Sequence, residues 1–573
     1  MRRLLAFAVL CAALAAMVAQ SALAADGPKN NDNAQHVQLL AFNDLHGNLE
    51  PPTGSGGRIT VGVGKTVDAG GVEYMSTWIN RLRATNPNTF VVGAGDQIGA
   101  SPLLSALFHD EPTIEALNAM GLDVSGVGNH EFDEGVTELL RMQYGNQLGG
   151  DGCHPIDGCQ DGTPFGGSLF QYLAANVLYD STHTTILPPY EIKKVGNAKI
   201  AFIGLTLQGT PNIVTPAGVA GLEFAPEVQT VNKLVSQLRE DEGVRTFVVL
   251  IHQGGFQNPP YTNGYQNVDG CDNFTGDIKP IVEGLDPQVD LVVSAHTPAA
   301  YICKFNGILT TSAASFGRLI TDIDLTIDHQ TKDVTAITAH NQIVTRDVPK
   351  DPAITAILDR YRPLATPIAN RIVGHITADI KQSANAAGES ALGDVIADAQ
   401  LAATSPTDFG GSVVAFMNPG GIRADLIYNN NAAGEAPGDV TYNEIFTVQP
   451  FANTLVVKTL TGDQIRRLLE QQFPNNRFLQ VSKGFTYSYD LTRPAGDKVV
   501  PGSIAINGVP VVATQSYRVT MNSFLATGGD GFTVFNEGTG QLGGAVDVDA
   551  LGDYLLKNSP VAPGPQDRIV KVG

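Results

Sequence analysis

Apolar runs of strand length recur along the first half of the chain and alternate with helical patterns. The runs lie between Val37 and Leu325, are rich in β-branched residues, and read VQLLAF, TFVVGA, VSGVG, KIAFIGLTL, TFVVLI and DLVVSA. Two further segments, EYMSTWINRLRAT and PEVQTVNKLVSQLRED, repeat apolar residues at helical spacing. This alternation predicts an α/β architecture.

The second half has a different pattern. From about Ile368 to Gly573, one clear helix, ALGDVIADAQLAA, is followed by short strands and turns rich in Gly and Asn, which predicts an α+β domain. A stretch with several prolines and one amphipathic helix precedes it, and we interpret this stretch as a connector. A chain of 573 residues exceeds what one hydrophobic core usually serves, so we predict domains at 35–345 and 368–573, with the connector at 346–367.

The first 24 residues have the pattern of a signal peptide. Arg2 and Arg3 precede an apolar run that ends in Ala22-Leu23-Ala24, an A-x-A pattern that predicts cleavage after Ala24. A transmembrane anchor is the alternative, but small residues dilute the run and no second apolar span follows. We therefore expect an exported protein that is secreted, periplasmic or held at the cell surface.

Four cysteines follow this segment, an even number that favours disulfides in an exported protein. They allow three pairings, and local spacing plus elimination favours Cys153 with Cys159 and Cys271 with Cys303. Metal ligation is the alternative reading. It is disfavoured because CHPIDGC lies in a loop rich in Gly and Asp, without a second C-x-x-C.

The chain is strongly acidic. Its formal charge is −21, and removal of Arg2 and Arg3 with the signal peptide takes it to −23. A net negative charge of this size repels long polyanions, and the sequence has no basic stripe. Both features argue against long nucleic acids as partners. A small phosphorylated substrate would need local positive charge from metal ions or from a well-placed Arg.

Candidate chemistry collects where the predicted strands end, the edge at which open α/β sheets bind their ligands. The residues after five such strands are Asn43, Asp44 and His46; Asp96; Asn129 and His130; His252; and His296. Any one of them could be an ordinary hydrogen-bonding residue. Their recurrence at five strand ends predicts a common site with two metal ions.

The donor types indicate which metals fit. In an extended backbone, residues two apart point the same way, so Asp44 and His46 can chelate one cation while Leu45 packs inward. Asp96 can bridge two cations through its two oxygens. Asn129, His252 and His296 complete a mixed nitrogen and oxygen set, which suits zinc, manganese, iron or cobalt better than calcium.

Seven blocks resemble one known family in order and separation. FNDLHGNLEP, GDQIGASPLL, GNHEFDEG and IHQGG resemble the metal-binding blocks of the calcineurin-like metallophosphoesterases. NPGGIRADL, QPFANTL and NSFLATGGDGF resemble the substrate-binding blocks of the exported 5'-nucleotidases, a family that includes UDP-sugar hydrolases and 2',3'-cyclic phosphodiesterases. The resemblance implies a β-sandwich flanked by helices, followed by an α+β substrate-binding domain.

The resemblance also implies roles in the first domain. Asp44, His46 and Asp96 would serve one metal, and Asp96, Asn129, His252 and His296 the other. His130 and Asp133 look like the catalytic pair, whereas Glu131 would only face the positive end of a helix dipole. Two cations about 3.5–4 Å apart would activate a water for in-line attack on phosphate.

In the second domain, the resemblance implies a nucleotide site. Phe451 and Phe524 would sandwich the base, Asn418 would touch it, Asp530 would accept hydrogen bonds from the ribose hydroxyls, and Arg423 would supply positive charge. Composition alone would make the two Phe core residues and Arg423 a surface residue.

Two positions depart from the family pattern. The last metal block commonly ends in His or Gln, but this chain has Ala295-His296-Thr297-Pro298, and Pro298 has no side-chain donor. We expect the first metal to bind weakly as a result. Many relatives carry Arg before the Glu of NAAGESALGDVIADAQ, where this chain has Gly388, so one cationic contact is missing.

The leading interpretation is an exported 5'-nucleotidase that hydrolyses nucleotides, its small-molecule partners, to nucleosides and inorganic phosphate. A phosphodiesterase or UDP-sugar hydrolase needs the same metals and the same base clamp. A binding protein built on a retired enzyme fold is a third hypothesis, which retention of all eight metal and catalytic residues disfavours. By analogy with relatives, the segment from Ile354 to Ile372 is a candidate hinge for domain rotation.

Overall fold

The computed structural model describes residues 34–573 apart from 53, 215–216, 259–260, 263–264, 432–433, 452 and 475. The predicted signal peptide, residues 1–24, lies outside the described residues. Among those described, no helix combines the length and the apolar character needed to cross a lipid bilayer.

Two six-stranded sheets pack face to face in the first domain. In spatial order, the strands of one are Val334–Ile343, Leu319–Asp328, Ala34–Phe42, Thr89–Ala94, Val124–Gly126 and Gln171–Leu173. The strands of the other are Ala300–Phe305, Ile308–Ala313, Leu291–Ser294, Thr246–His252, Ala198–Thr206 and Tyr190–Val195. Leu39 and Val92 from the first sheet share a buried cluster with Phe202 and Leu250 from the second.

The strands that matter for the site run parallel. Ala34–Phe42 pairs with Thr89–Ala94, which pairs with Val124–Gly126. Thr246–His252 likewise runs parallel to Leu291–Ser294. The carboxyl ends of these five strands therefore meet at one edge of the sandwich, as the sequence predicted.

Helices cover both outer faces of the sandwich. They are Val72–Arg83, Leu103–Ala106, Glu111–Met120, Val136–Tyr144, Glu227–Asp241 and Ile278–Gly284. Met75 and Leu117 pack in the cluster on one side, and Val231 and Leu238 pack in the cluster on the other. Short strands complete the domain as small sheets: Arg58–Gly62, Lys65–Asp68, Tyr261–Thr262 and Tyr265–Gln266, and the pair Val177–Tyr179 and Leu222–Phe224.

The connector contains an 18-residue helix, Pro352–Ala369. The Asp351 carboxylate caps its first turn by accepting a hydrogen bond from the Ala353 backbone N–H. Its apolar side belongs to the core of the first domain, where Ile354, Leu358 and Tyr361 are buried. The helix thus extends the first domain and ends just before the second, which starts with the strand Ile372–His375.

The second domain is α+β, as predicted. Its main sheet has the order Gln480–Val481, Val414–Met417, Ser516–Asn522, Thr454–Thr461 and Thr539–Val546. Smaller sheets comprise Val509–Pro510, Ala505–Ile506, Phe485–Tyr489 and Ile569–Lys571, and the pair Ile372–His375 and Asp439–Thr441. The helices are Ala391–Thr404, Tyr442–Val448, Gly462–Glu470, Ser523–Ala526 and Asp547–Asn558.

Both predicted disulfides are present. Cys153 is bonded to Cys159 across six positions of the chain, and Cys271 to Cys303 across 32. All four cysteines are therefore in covalent pairs, and the alternative of metal ligation does not apply to them.

Candidate metal centre and substrate site

Asp96 lies at the centre of the converging strand ends. Its Oδ2 is 2.9 Å from Nε2 of His252 and 3.6 Å from Nε2 of His46. The same His46 nitrogen is 3.8 Å from Oδ1 of Asp44. These three strand ends thus bring four donor side chains around one point.

His296 and Asn129 close the other side of the cluster. Nδ1 of His296 lies 3.0 Å from Oδ1 of Asn129, and the His296 backbone N–H donates to Oδ2 of Asp44 at 3.0 Å. The residues Asp44, Asp96 and His252 are each at most 3% exposed. All six predicted metal ligands are therefore brought together in a largely water-excluded site.

The backbone geometry of the site differs from the sequence expectation. Asp44 and His46 do not lie in an extended strand, because the strand ends at Phe42 and both residues have left-handed φ values, 51° and 48°. Asp96 and His296 share this conformation, with φ of 50° and 68°. Non-glycine residues adopt it at a cost that the surrounding fold must offset, a feature that clusters at functional sites.

The inward-facing Nε2 atoms of His46 and His252 are placed to bind a metal ion. Nδ1 of His252 lies 2.9 Å from the carbonyl of Ala94, so that nitrogen donates and Nε2 faces the cluster. This Nε2 is buried and lies 2.9 Å from Oδ2 of Asp96. His46 is oriented in the same way by the carbonyl of Gly99, 2.9 Å from its Nδ1. A backbone carbonyl on the outer nitrogen is the usual way in which proteins orient a metal-binding imidazole.

Asp96 belongs to two overlapping donor groups. His46, Asp96 and His130 offer ligand atoms within 4.8 Å of one another, and so do Asp96, His252 and His296. Nitrogen and carboxylate donors in this mixture suit zinc, manganese, iron or cobalt. The residues present thus fit divalent metal ions, with the Asp96 carboxylate common to both groups.

Electrostatics of the cluster favour positive charge beside Asp96. Burial lowers the pKa of His46 and of His296 to about 3, which keeps both imidazoles neutral and able to bind a metal. Burial raises the pKa of Asp44 to about 7. Burial opposes the ionisation of Asp96 as well, but the neighbouring His252 charge outweighs it and holds the pKa of Asp96 well below its usual range.

His130 and Asp133 form the expected pair. Nδ1 of His130 lies 2.8 Å from Oδ2 of Asp133, and the His130 backbone N–H donates to Oδ1 of Asp96 at 2.9 Å. Burial disfavours the imidazolium, but the charges of Asp133 and then Asp96 outweigh burial and raise the pKa of His130. A cationic imidazole is therefore stabilised beside the metal-binding cluster.

Glu131 has a different role from the one expected. Its carboxylate does not simply face a helix end: it accepts hydrogen bonds from the backbone N–H groups of Asp96 at 2.9 Å, Gln97 at 2.7 Å and Gly128 at 2.6 Å. Glu131 is 2% exposed. Glu131 thus links the loop that carries Asp96 to the loop that carries Asn129, a role that the sequence did not reveal.

Pro298 lines a cavity of about 510 Å³. The lining also includes the side chains of Arg58, Arg318 and Phe256. Thr297, just before Pro298, holds the adjacent loop, because its hydroxyl donates to the carbonyl of Gly255 at 2.9 Å. Pro298 thus gives this cavity an apolar wall in place of a side-chain donor.

A loop of the second domain reaches the metal-binding cluster. The ring of Phe451 stacks on the ring of His130, with centroids 5.6 Å apart and an interplanar angle of 19°. The Arg423 guanidinium carbon lies 5.8 Å from the centre of the Phe451 ring. Phe451 therefore contacts the candidate catalytic histidine in this conformation.

The other predicted substrate residues form a second group. The Asn418 amide donates to Oδ2 of Asp530 at 3.0 Å, and the Phe524 ring packs directly over Gly529. Oδ1 of Asp530 pairs with the Arg477 guanidinium. Arg477 was not among the sequence candidates, because an isolated Arg in a turn carries no motif.

A third group, His109, Glu134 and His154, lies outside this site. Nδ1 of His109 is 2.9 Å from Oε2 of Glu134. The two imidazoles stack with centroids 3.4 Å apart and planes 23° from parallel. Their lone pairs therefore run side by side and do not converge on one ion, so we interpret the group as a hydrogen-bonded contact.

Comparison with known proteins agrees with this architecture. Residues 37–300 match the family model for calcineurin-like phosphoesterases, and residues 372–537 match that for the 5'-nucleotidase C-terminal domain. The chain therefore belongs to the family of two-domain metallophosphoesterases of the 5'-nucleotidase type, whose members are metal-dependent phosphoester hydrolases.

Individual relatives span most of the chain. Endonuclease YhcR of Bacillus subtilis strain 168 is 31% identical over 93% of this chain, which covers 41% of that protein. Cell wall protein Lmo0130 of Listeria monocytogenes is 31% identical over 90% of this chain, which covers 66% of that protein. The crystal structure of a 5'-nucleotidase precursor from Thermus thermophilus aligns with a TM-score of 0.73 at 25% identity, covering 94% of this chain and all of that one.

Proposed function

We propose that this protein is an exported phosphoesterase with two divalent metal ions, and that it hydrolyses nucleotides in the manner of a 5'-nucleotidase. The observation that carries the proposal is the position of Asp96: its Oδ2 lies 3.6 Å from Nε2 of His46 and 2.9 Å from Nε2 of His252, and its Oδ1 accepts a hydrogen bond from the His130 backbone N–H. The proximity of Phe451 and Arg423 to the same cluster supports a nucleotide as substrate.

The residues of the first domain have separate roles in the proposed reaction. Asp44, His46 and Asp96 would hold one ion, and Asp96, Asn129, His252 and His296 the other. Metal ions bound there supply Lewis acidity and offset the negative charge of the phosphate. His130, held by Asp133, would donate a hydrogen bond and then a proton to the departing oxygen, because its raised pKa favours the charged form.

The second domain would provide recognition. Arg423 would offset phosphate charge near the metals, and Asn418 and Asp530 would hydrogen-bond the base and the ribose. Phe451 and Phe524 would stack on the base once Phe451 leaves His130. Since the helix Pro352–Ala369 is packed into the first domain, a rotation that permits this would bend the chain between that helix and the strand Ile372–His375.

A second candidate is hydrolysis of a phosphodiester or a nucleotide sugar. The cavity of about 510 Å³ that Pro298 lines favours it, because Pro298 follows His296 by two positions and Arg58 and Arg318 also line the cavity. The group on the far side of the scissile phosphate could occupy this space. A nucleoside monophosphate has no such group.

A substrate panel tests the proposal. Phosphate release from AMP, ATP, 2',3'-cyclic AMP and UDP-glucose should be measured with manganese, zinc or no added metal. A phosphomonoesterase is added only to the cyclic AMP and UDP-glucose assays, where it reveals diester cleavage. Asp96→Ala should abolish turnover, whereas Asp241→Asn, at the exposed end of a surface helix, should not change it. Absence of turnover for every substrate and metal would favour the binding-protein hypothesis.

Export rests on the sequence pattern of residues 1–24 and agrees with the two disulfides. Mass spectrometry of the protein recovered outside the cytoplasm should give a mature N-terminus at Ala25. Recovery of the uncleaved chain from the cytoplasm would contradict export.

A further inference from the structure

The ion pair between Arg477 and Asp530 occupies the position at which we propose that ribose is recognised. Oδ1 of Asp530 pairs with Arg477, and Oδ2 accepts a hydrogen bond from Asn418. Both oxygens of the carboxylate are therefore engaged before any substrate arrives.

The two partners differ in accessibility. The Asp530 side chain is 6% exposed, whereas that of Arg477 is 43% exposed. Because little of the carboxylate is open to solvent, an incoming ribose hydroxyl must replace one of its present partners. Arg477 is the one that a ligand can displace, because its long, exposed side chain can turn away while Asn418 is 3% exposed and is also held by Asn522.

Asp530 lies beside residues that reach the metal-binding cluster. A Cβ atom at Gly420 would lie 3.5 Å from Oδ2 of Asp530, and Nη1 of Arg423 donates to the Gly420 carbonyl at 3.5 Å. Arg423 in turn lies 5.8 Å from the centre of the Phe451 ring, which stacks on His130. A nucleotide whose ribose contacts Asp530 would therefore place its phosphate toward the metal-binding cluster.

The packing around Gly388 leaves no room for a side chain at this position. It has a φ of 86°, and a Cβ atom there would lie 2.4 Å from Cγ of Phe478. The Phe478 ring thus fills the space that a side chain at 388 would require. Arg477 is the residue next to Phe478, so the turn that excludes a side chain at 388 also presents a guanidinium to the substrate site.

We propose that Arg477 couples ribose recognition to phosphate recognition by exchanging partners. In the free protein it pairs with Asp530; when a nucleotide binds, the ribose hydroxyls take the carboxylate and the guanidinium moves to the phosphate. A nucleoside breaks the same ion pair and offers no anion in return, so the pair favours nucleotide binding and nucleoside release. The inference rests on the proposed nucleotide function.

The exchange predicts opposite effects on substrate and product. In Arg477→Ala, the KM for AMP should rise roughly tenfold with kcat nearly unchanged, because a charge-assisted contact to the phosphate is lost. The inhibition constant of adenosine should fall about two- to fivefold, because adenosine no longer has to break a partly exposed ion pair. Arg477→Lys, which keeps the charge but not the fork of donors, should give an intermediate KM.

Parallel changes would overturn the proposal. If AMP and adenosine both bind more weakly to Arg477→Ala, Arg477 only holds Asp530 in place; if neither changes, it has no part in recognition. Arg493→Ala removes a comparable guanidinium from the surface pair with Asp497 and should leave both constants unchanged. Unchanged melting temperatures would show that the variants are folded.

Direct calorimetry separates this inference from the proposed function. If the wild-type protein does not hydrolyse AMP but Arg477→Ala shifts AMP and adenosine affinities in opposite directions, the exchange stands and the activity is wrong. If AMP is hydrolysed and the affinities shift together, the activity stands and the exchange is wrong. If the wild-type protein binds neither compound, both are wrong.

Discussion

Replacement of Glu131 by Gln tests how the metal-binding loops are held. The Glu131 carboxylate accepts three backbone hydrogen bonds, from Asp96, Gln97 and Gly128, and is 2% exposed. A Gln side chain has nearly the same shape but only one acceptor oxygen. Its NH₂ group must therefore point at one or two backbone donors, which lose their acceptor.

The expected cost follows from that count. A buried backbone N–H left without an acceptor costs about 1–3 kcal/mol, so Glu131→Gln should destabilise the folded protein by at least that amount. The loss falls on the N–H groups of Asp96 and Gly128, which both donate to Oε2, or on that of Gln97, which donates to Oε1. Since residues that orient metal ligands typically contribute 10–100-fold to affinity, we expect metal binding to weaken by about that factor.

The assay is competition for manganese or zinc against a chelator of known affinity, together with thermal melting of the metal-free protein. Glu227→Gln is a matched control, since Glu227 is 8% exposed and accepts a backbone N–H from Gln208 at 2.7 Å, away from the metal ligands. Metal affinity equal to that of the wild type in Glu131→Gln, with a normal melting temperature, would refute the reasoning.

Three further substitutions test other parts of the account. Gly388→Ala should lower stability by about 1–3 kcal/mol in thermal or urea unfolding, because the new Cβ meets the Phe478 ring at a left-handed φ; unchanged stability would contradict this packing. Pro298→His should slow metal loss to a chelator by roughly tenfold, because it adds an imidazole two positions after His296, and faster loss would contradict weak binding at the first metal. Burial raises the pKa of Asp290 from 3.8 to about 7, so the destabilisation caused by ionising this buried carboxylate is absent near pH 4 and grows as pH rises toward 7. Asp290→Asn should therefore raise the melting temperature at pH 8 but not at pH 4. An equal effect at both pH values would exclude carboxylate burial as the cause.

The sequence located the candidate metal ligands because parallel strands end at a common edge, and Asp96, His252 and His296 each follow such a strand. It did not show the left-handed turns at Asp44 and His46. Their convergence depends on backbone contacts to a neighbouring strand end: the N–H groups of Asp44 and His46 donate to the carbonyls of Gly95 and Asp96. The pattern of residues within one segment contains no information about backbone hydrogen bonds to another strand.

The same limit explains why the sequence revealed neither the actual role of Glu131 nor Arg477. Glu131 acts on backbone groups 34 and 35 positions earlier in the chain, and Arg477 acts on a carboxylate 53 positions later. Each role appears only when the fold brings the partners together. The family blocks nevertheless indicated where to look, since Glu131 lies inside GNHEFDEG and Asp530 inside NSFLATGGDGF.

The central claim is that Asp96 joins two metal ions in a site that cleaves phosphoesters. Elemental analysis of the wild-type protein and of Asp96→Asn, each loaded with manganese and then freed of excess metal, tests it most directly when phosphate release is measured on the same samples. The account predicts about two ions per wild-type chain, and fewer ions with no phosphate release in the variant. One ion per chain with full activity, or two ions retained by Asp96→Asn, would contradict it.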